Sequence, residues 1–370
     1  MIQVEKKKIV IAAGGTGGHI FPALAVAMEC RRRKHSFSLL WIGTSRSRER
    51  ELCEKYDIPL EIVDVQGIRR SVSPKNVHAI FAFVNSVRRM NLLFKKQRPD
   101  AVIAFGGYVS APVLAAAKLR KIPFFLQEQN TVPGLVIRMF SKGARMVFLG
   151  FPVAEEWSIK GNTMITGTPV RPIEGTYADF EYPQGFDRQK RCILICGGSQ
   201  GAASMNTCLI QAVKNINDKG WQVVWQTGTT SYKPICKEMG DRPGVFVFDT
   251  IDDLYPYYAR AKVVIGRSGA STLNEIAFFG LPCVLIPLPW AAENHQWVNA
   301  GYVESQGWGY RIAQSEECGK TVEETVMRIL GDSELHETMC RKALNYTPAS
   351  AASDIVDTIS DTVGCVLCFR

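Results

Sequence analysis

Residues 9–19 have the sequence Ile-Val-Ile-Ala-Ala-Gly-Gly-Thr-Gly-Gly-His, an apolar run that leads directly into a glycine-rich turn. Residues 22–28, Pro-Ala-Leu-Ala-Val-Ala-Met, then predict a helix. Strand, tight turn and helix in this order are typical of a parallel α/β sheet. Such a turn directs backbone N–H groups and the positive end of the helix at one point, which favours a diphosphate or a developing anion. A structural turn with an incidental His19 is the alternative, because one glycine-rich turn is a weak motif.

Two common nucleotide-binding motifs are absent from the sequence. A dinucleotide fingerprint needs a third glycine where Ile20 stands and an acidic residue at the end of the next strand, where Gly43 and Thr44 stand. The mononucleotide motif G-x-x-x-x-G-K-[ST] occurs nowhere in the chain. The first turn therefore belongs to neither class.

The length and composition limit the class of protein. A chain of 370 residues predicts two domains of comparable size. Apolar residues make up 46% and charged residues 21%, as in a soluble globular protein, and no apolar run approaches the roughly 20 residues that span a bilayer. The apolar run behind the lysines at 6–8 is soon interrupted by glycine, so we expect no signal peptide and a cytoplasmic location. The net charge of +9 calls for an anionic partner.

The eleven cysteines show no disulfide-scaffold spacing. Several, such as Cys192, Cys196 and Cys283, lie in apolar strand-like runs, so we expect reduced thiols. Cys365 and Cys368 form one CxxC at the extreme C-terminus, and a lone CxxC is weak evidence for a metal. Because no H-E-x-x-H, P-C-x-x-C or carboxylate cluster occurs, the sequence predicts no metal site.

Short apolar runs alternate with helix-length segments, which predicts βαβ units and a parallel sheet. The predicted strands of the first half are residues 8–13, 37–42, 60–65, 101–105, 124–127, 146–149 and 164–166. A linker rich in Pro, Gly and acidic residues follows at 168–189, and the pattern then begins again. The predicted strands of the second half are residues 192–196, 222–226, 245–248, 263–265, 284–287 and 309–312.

We therefore predict an α/β architecture of two doubly wound, Rossmann-like domains that face each other across a cleft. The first domain comprises residues 1–170 and the second residues 171–348. A C-terminal segment, residues 349–370, contains a helix that we expect to pack back on the first domain.

Residues 65–98 contain eight Lys or Arg residues and no Asp or Glu. On a helix from about 76 to 96, an apolar stripe faces the core and comprises Ile80, Phe83, Val84, Val87 and Phe94. Phe81 and Leu92 lie instead on the opposite face among basic residues, which suits docking on anionic lipid headgroups. The expected membrane contacts are Ile80, Phe81, Arg88, Arg89, Leu92, Lys95 and Lys96. A solvated basic face is the alternative, and nucleic acid is not expected because no nucleic-acid motif occurs.

Polar or glycine-rich stretches follow two further strands of the first half. Gly106-Gly107-Tyr108-Val109-Ser110 forms a second glycine turn at the sheet edge that carries the first turn. Gln127-Glu128-Gln129-Asn130 places four polar side chains after the next strand, where binding residues collect. Two adjacent glycine turns predict a roomy anion site.

The second half repeats these features. Residues 197–202, Gly-Gly-Ser-Gln-Gly-Ala, form its first turn, and residues 267–275, Arg-Ser-Gly-Ala-Ser-Thr-Leu-Asn-Glu, open a later helix. Glu275 near the start of that helix could accept two hydrogen bonds from vicinal hydroxyls such as those of a ribose. A capping-box glutamate with Ser271 or Thr272 as the cap is the alternative. The polar residues 293–299, Glu-Asn-His-Gln-Trp-Val-Asn, lie after the next predicted strand.

These motifs together resemble those of the MurG-type N-acetylglucosaminyltransferases of peptidoglycan synthesis. The matching stretches, in family order, are Gly14-Gly-Thr-Gly-Gly-His19-x-x-Pro-Ala-Leu-Ala25, Gly106-Gly-Tyr-x-Ser-x-Pro112, Glu128-Gln-Asn130, Gly167-x-Pro-Val-Arg171, Gly197-Gly-Ser-Gln-Gly-Ala202 and Arg267-Ser-Gly-Ala-x-Thr-x-x-Glu275. The resemblance implies the GT-B fold and no metal cofactor. It also implies transfer of N-acetylglucosamine from its UDP-sugar to the C4 hydroxyl of undecaprenyl-pyrophosphoryl-N-acetylmuramyl-pentapeptide, with inversion and release of UDP.

The resemblance also implies roles for individual residues. The catalytic base is His19 or Glu128, and Gln296 or His295 contacts the sugar of the donor. Ser199 lies near the diphosphate, Ile251 binds uracil through its backbone, and Glu275 binds the ribose. The further residues expected at the donor are Thr16, Gly17, Gly18, Asn130, Arg171, Ala270, Ser271, Thr272, Leu273 and Asn274. The residues expected at the acceptor are Gly14, Gly15, Gly106, Gly107, Tyr108 and Ser110.

The implied partners are UDP-N-acetylglucosamine, the undecaprenyl-linked muramyl-pentapeptide, an anionic membrane surface at the cytoplasmic face of the plasma membrane, and other cell-wall synthesis enzymes. Two other functions remain open: a diacylglycerol glycosyltransferase of the same fold, and a UDP-N-acetylglucosamine 2-epimerase. The tail 364–370 has no counterpart in the family pattern.

Overall fold

The computed structural model describes residues 6–33, 36–45, 47–63, 74–173, 177–197, 202–346 and 350–364, with only the backbone described at 47–48 and 74–80. The chain divides into two compact units. Unit 1 comprises Met1–Arg171 and Pro348–Arg370, and unit 2 comprises Pro172–Thr347. The sequence placed the two boundaries after residues 170 and 348.

Unit 1 is built on a parallel sheet. Its strands are β1 (Lys7–Ala12), β2 (Phe37–Gly43), β3 (Leu60–Ile62), β4 (Ala101–Ala104), β5 (Phe124–Glu128), β6 (Val147–Leu149) and β7 (Thr163–Ile165). Their order in the sheet is β3-β2-β1-β4-β5-β6-β7, with every neighbouring pair parallel. Because β1, β4 and β5 are neighbours, the loops that follow these three strands lie side by side at one edge.

Helices cover both faces of this sheet. They are α1 (Gly17–Arg32), α2 (Ser47–Lys55), α3 (Pro74–Gln97), α4 (Gly107–Leu119) and α5 (Leu135–Phe140). Successive residues of β1 point to opposite faces, so Ile9 packs with Leu24 of α1 while Val10 packs with Phe94 of α3. The near-continuous apolar character of β1 therefore reflects burial on both faces.

Unit 2 repeats the architecture. Its strands are β8 (Cys192–Cys196), β9 (Gln222–Gln226), β10 (Val245–Phe248), β11 (Ala261–Gly266), β12 (Cys283–Leu285) and β13 (Gly309–Arg311). Their order is β10-β9-β8-β11-β12-β13, again with parallel neighbours. The helices are α6 (Ala203–Asp218), α7 (Thr229–Met239), α8 (Tyr255–Tyr258), α9 (Ala270–Phe278), α10 (His295–Gln306), α11 (Cys318–Gly331) and α12 (Ser333–Tyr346).

The C-terminal helix α13 (Ala351–Val363) packs on α1 of unit 1. Ile355 and Ile359, one turn apart, are buried in the core that α1 shares with the sheet. Arg33, at the end of α1, donates hydrogen bonds to Asp357 and, over 2.9 Å, to the Ser353 hydroxyl. Apolar burial and this ion pair together hold the helix on unit 1.

The burial of α3 corrects the predicted apolar stripe. Val84 is 44% exposed, whereas Met90 and Ser86, which lay outside the stripe, are buried with Phe94. Among the described side chains of α3, the buried ones lie in its C-terminal half, so helical periodicity alone misplaced the buried positions. The side chain of Ile80 lies outside the described residues. None of the helices that the structure describes is long and apolar enough to cross a membrane.

The expectation that all cysteines are reduced is wrong for one pair. Cys208 of α6 and Cys318 of α11 form a disulfide, although 110 residues separate them in sequence. The two helices approach closely at this point, since a Cβ on Gly319 would lie 2.2 Å from the Cys208 carbonyl oxygen. Sequence spacing could not show this pairing because it depends on the packing of α6 against α11. Cys365 and Cys368 lie outside the described residues.

Candidate functional site

The first glycine turn holds the His19 side chain at the carboxyl edge of the unit 1 sheet. Thr16 precedes α1 as its N-cap residue, and its hydroxyl lies 3.4 Å from His19 Nδ1. Burial lowers the pKa of His19 below its ordinary value, and a hydrogen bond to the Gly14 backbone offsets part of that shift. The imidazole is therefore neutral near pH 7 and is able to accept a proton.

The second glycine turn packs directly against the His19 ring. A Cβ on Gly106 would lie 3.3 Å from His19 Nε2, and a Cβ on Gly107 would lie 3.3 Å from His19 Nδ1. Both glycines have positive φ, 90° and 74°, which side chains disfavour. The glycines of the motif thus provide both the backbone conformation and the space for the imidazole.

Two other predicted residues of the second turn differ in exposure. Ser110 is buried, and its hydroxyl donates to the Gly106 carbonyl over 2.6 Å and lies 3.3 Å from the Ala12 carbonyl. Its hydroxyl therefore joins the second turn to the end of β1. Tyr108 is 61% exposed at the start of α4, where its side chain is open to a ligand.

The Glu128 carboxylate stabilises the loop that follows β5. Oε1 accepts hydrogen bonds from the Asn130 backbone N–H at 2.9 Å and from Asn130 Nδ2 at 3.1 Å, and Oε2 accepts one from the Gly134 N–H at 2.8 Å. Burial raises the pKa of Glu128 against the opposing effect of these donors. Both oxygens of this predicted base are thus engaged with the backbone of their own loop.

The remaining predicted residues of unit 1 lie near the start of α1. Gly17 and Gly18 form the first turn of that helix, and a Cβ on Gly17 would contact the Phe21 ring at 3.1 Å. The Arg171 guanidinium lies over the same ring, 5.6 Å from its centroid. The structure therefore brings Arg171 to the helix that carries the first glycine turn.

In unit 2, α9 begins after the loop that follows β11, and Gly269 is its N-cap residue. The capping-box alternative for Glu275 is wrong, because the cap is neither Ser271 nor Thr272. Glu275 lies beyond the first turn, and its Oε2 accepts a hydrogen bond from the Tyr258 hydroxyl over 3.3 Å. Burial raises the pKa of Tyr258 well above its ordinary value, so this phenol stays protonated and acts as the donor.

The other predicted residues of α9 differ in how far their side chains are buried. Ala270, Leu273 and Asn274 are buried, and Asn274 Nδ2 donates to the Ala270 carbonyl over 2.8 Å. Ser271 and Thr272 are half-buried on the other side of the helix. The predicted residues of this helix that remain partly exposed are therefore Ser271, Thr272 and Glu275.

Gln296 joins the loops that follow β11 and β12. Its carbonyl accepts from the Ser268 hydroxyl over 2.7 Å, and its side-chain oxygen accepts from the Leu288 N–H over 2.9 Å. His295 Nδ1 lies 2.7 Å from the Ala292 carbonyl oxygen. Asn294, the residue before α10, has φ of 56°. Non-glycine residues adopt this conformation rarely, and it is frequent at functional sites.

Arg267 is a buried cation in the same region. Its guanidinium donates to the Ile286 carbonyl over 2.8 Å and to Gln314 Oε1 over 2.8 Å. Burial lowers its pKa to about 10, so it remains charged near neutral pH. It supplies positive charge where α6 and the β12 loop meet.

Two further residues predicted to bind the donor substrate, Ile251 and Ser199, belong to unit 2. Ile251 is half-buried in the loop between β10 and α8, at the edge that carries Glu275. Ser199 and the rest of its turn, residues 198–201, lie outside the described residues. Within the ranges that are described, no three His, Cys, Asp or Glu side chains are grouped so that they could hold a metal ion.

The sequence did not identify two residues that support the site. Tyr258 contacts Glu275 as described above, and Glu49, from α2, accepts a hydrogen bond from the Gly15 N–H over 2.9 Å. Glu49 is one of several charged residues in a short polar helix, and no local pattern distinguishes it from its neighbours. Both contacts join residues that are distant in sequence.

Two Rossmann-like units, each with polar or glycine-rich loops at the carboxyl edge of its own parallel sheet, are the architecture of the GT-B fold. The chain belongs to glycosyltransferase family 28, whose N-terminal domain model matches residues 9–149 and whose C-terminal domain model matches residues 192–359. The predicted pair of Rossmann-like domains and the predicted family are thereby confirmed.

Individual relatives support the same assignment. The "UDP-N-acetylglucosamine--N-acetylmuramyl-(pentapeptide) pyrophosphoryl-undecaprenol N-acetylglucosamine transferase" of Exiguobacterium sibiricum is 33% identical over 359 residues, which cover 95% of this chain and 98% of that protein. The crystal structure of Acinetobacter baumannii MurG has a TM-score of 0.73 at 29% identity and covers 96% of this chain and 99% of its own. A UDP-GlcNAc 2-epimerase from Neisseria meningitidis has a TM-score of 0.66 at 14% identity, covering 96% and 100%, a likeness that shows the fold alone.

Proposed function

We propose that this glycosyltransferase moves N-acetylglucosamine from UDP-N-acetylglucosamine to the C4 hydroxyl of undecaprenyl-pyrophosphoryl-N-acetylmuramyl-pentapeptide. The observation that carries the proposal is 33% identity, over almost the whole of both chains, to a relative named for this transfer. The product is the lipid-linked disaccharide of peptidoglycan synthesis, and UDP is released. The nucleotide sugar is a substrate, and the reaction needs no metal cofactor.

Unit 2 holds the donor in this proposal. Glu275 accepts hydrogen bonds from the ribose hydroxyls, and the backbone of Ile251 contacts the uracil. Ser199 and the N-terminus of α9 contact the diphosphate, since helix N-termini favour anions. Gln296 or His295 contacts the sugar. The Tyr258 contact supports the role of Glu275, because a carboxylate that is held in place pairs well with two vicinal hydroxyls.

Unit 1 holds the acceptor, with its pyrophosphate at the two glycine turns and Tyr108 beside it. The C4 oxygen of the muramyl sugar attacks the anomeric carbon, the bond from that carbon to the UDP oxygen breaks, and the hydroxyl proton passes to the base. The UDP oxygen leaves with the electron pair of the broken bond. Positive charge near the leaving diphosphate stabilises this transition state.

His19 is the base in this mechanism. Its pKa is lowered by burial, so the proton-accepting form predominates near neutral pH. The competing candidate, Glu128, already accepts hydrogen bonds from Asn130 and Gly134 with its two oxygens. Proton transfer to Glu128 would weaken the hydrogen bonds that hold its loop, whereas the cost of protonating His19 is burial of the imidazolium, which the hydrogen bond to the Gly14 backbone partly offsets.

One face of unit 1 binds the anionic membrane surface that carries the acceptor. Phe81 and Leu92 of α3 are 70% and 66% exposed, and basic side chains are exposed on the same helix, namely Arg88, Arg89, Lys95 and Lys96. Beside them, α3, α4 and the end of α5 form an apolar groove of about 650 Å³ that is lined by Phe83, Val84, Val87, Leu119 and Phe140, with Arg88, Lys118 and Lys121. Apolar side chains among cations suit peripheral binding at the cytoplasmic leaflet.

The transfer assay uses purified protein, UDP-N-acetylglucosamine and a lipid-linked muramyl-pentapeptide, with product detection by mass spectrometry. We expect the lipid-linked disaccharide and an equal amount of UDP, unchanged by a chelator. Product with diacylglycerol but not with the muramyl lipid would overturn the proposal. Conversion of UDP-N-acetylglucosamine with no lipid present would indicate an epimerase instead.

The membrane proposal is tested by sedimentation with anionic and neutral vesicles. The double substitution Phe81→Ser and Leu92→Ser should reduce binding to anionic vesicles, while neutral vesicles bind little of either protein. Leu344→Ser, at a position that is 55% exposed on unit 2, is the matched control and should bind as the unsubstituted protein does. Equal vesicle binding by the double variant and the control would contradict the assignment of this face.

A further inference from the structure

The Glu49 carboxylate is fully buried beneath the first glycine turn, although it belongs to a short polar helix. Its Oε1 accepts hydrogen bonds from the Gly15 N–H at 2.9 Å and from Thr44 Oγ1 at 2.7 Å. Its Oε2 accepts one from the Thr44 N–H at 2.5 Å. One carboxylate therefore joins the loop after β1 to the loop after β2.

Two glycines make room for this carboxylate. A Cβ on Gly43 would lie 2.4 Å from Glu49 Oε2, and a Cβ on Gly14 would lie 3.0 Å from the same oxygen. Gly15, which donates to the carboxylate, has φ of 95°. The glycines at these three positions thus serve the Glu49 contact, in addition to any contact with a ligand.

This contact divides the first glycine turn into two ends with opposite electrostatics. At the Gly14–Gly15 end, an N–H group is already bonded to a buried carboxylate, and a second anion placed there would be repelled in a medium of low dielectric. At the other end lie the N-cap residue Thr16 and the first residues of α1, Gly17 and Gly18, at the positive end of the helix dipole. Anion binding is therefore favoured at Thr16–Gly18, next to His19, and disfavoured at Gly14–Gly15.

We propose that Glu49 is a positioning residue of the acceptor site. It holds the Gly14–Gly15 segment, closes that end of the turn to the pyrophosphate, and keeps Thr16–Gly18 and the His19 imidazole aligned with the second turn. The Gly14 backbone connects this segment to His19 and to the second turn. It forms a hydrogen bond with His19, and its carbonyl oxygen would lie 3.3 Å from a Cβ on Gly107. This inference rests on the proposed transfer reaction. In it, the Glu49 side chain acts through the first glycine turn and does not contact the substrate.

The first test is Glu49→Gln, with Glu54→Gln, on the exposed side of the same helix, as the matched control. The amide keeps the shape of the side chain but turns one acceptor into a donor, which then faces an N–H or O–H donor of Gly15 or Thr44. We expect kcat/KM for the lipid acceptor to fall at least tenfold. The Kd for UDP should stay within twofold of that of the unsubstituted protein, because the proposed contacts of the uracil and the ribose, Ile251 and Glu275, lie in unit 2.

The dependence of kcat/KM on pH distinguishes positioning from a merely structural role. If Glu49 aligns the turn that contacts His19, then the acid limb of the profile should move in Glu49→Gln and stay in place in Glu54→Gln. A variant that retains acceptor kcat/KM within twofold would overturn the inference. So would a variant that loses UDP binding and acceptor turnover in equal proportion with an unchanged pH profile.

A second substitution keeps the inference testable if Glu49→Gln does not fold. Thr44→Val removes the Thr44 Oγ1 bond but leaves the carboxylate and both N–H donors in place. We expect a loss of acceptor kcat/KM in the same direction, of about threefold, with UDP affinity retained. No loss would contradict the inference. Failure of the unsubstituted protein to glycosylate the muramyl lipid would instead contradict the proposed function.

Discussion

The Tyr258 hydroxyl offers a sharp test of the donor site. Tyr258 is fully buried in α8, its ring stacks on Phe279 with centroids 5.4 Å apart, and its hydroxyl donates to Glu275 Oε2 over 3.3 Å. The substitution Tyr258→Phe removes that hydroxyl and preserves the stacked ring. Glu275 then loses a donor that holds its carboxylate in place for the ribose.

The expected loss of affinity for the nucleotide sugar follows from the type and length of the hydrogen bond between Tyr258 and Glu275. Hydrogen bonds to charged groups contribute about 1.5–3 kcal/mol, and a donor–acceptor distance of 3.3 Å places this one at the lower end. A loss of about 1.4 kcal/mol weakens binding about tenfold. We therefore expect the Kd for UDP-N-acetylglucosamine to rise about tenfold.

Isothermal titration calorimetry of the nucleotide sugar measures this change, with thermal unfolding as a check on folding. Tyr257→Phe is the matched control, because Tyr257 is also buried in α8 and its ring packs against Phe180 and Phe248. With a 2′-deoxyribose analogue of the nucleotide sugar, Tyr258→Phe and the unsubstituted protein should differ less in affinity, because one of the two hydroxyls that pair with Glu275 is missing. Unchanged affinity in Tyr258→Phe, or an equal loss in Tyr257→Phe, would refute the reasoning.

Three further predictions concern unit 1 and the disulfide. Because the lowered pKa of His19 keeps the imidazole neutral, kcat/KM should be flat near pH 7 and fall only below pH 6.5, and His19→Ala should abolish transfer but retain UDP binding. Gly107→Ala, at φ of 74°, should lower acceptor kcat/KM about tenfold through about 1–3 kcal/mol of strain against His19, as steady-state kinetics would show. Alkylation and mass spectrometry should label Cys208 and Cys318 only after reduction, and reduction should lower the free energy of unfolding of unit 2 by about 2–4 kcal/mol in a urea titration.

Much of the fold was predictable from local sequence. The strand from Cys192 to Cys196 and the strand from Gln222 to Gln226 were placed at their observed bounds, because a continuous apolar run between turn residues has few other solutions. The glycines at 106 and 107 were predicted to form a turn, and both have positive φ. These features depend on backbone preferences within about ten residues.

Burial on a helix depended on the partners of that helix. Periodicity placed Val84 in the core of α3, but Val84 lines an open apolar groove, and Met90 is buried instead. Periodicity identifies the face of a helix, whereas burial requires a second surface that the local sequence does not specify. The same limitation applied to Cys208, whose partner comes from a helix that begins 110 residues later.

For this protein, the sequence by itself determined the repeated strand, turn and helix order, the positions of the glycine turns and the family to which their motifs belong. Only the tertiary structure decided that Tyr258 contacts Glu275 and that Glu49 holds the first turn. The reason is physical. Backbone conformation is governed by neighbouring residues, whereas the hydrogen-bond partner and the exposure of a side chain are set by whichever segments the folded chain brings beside it.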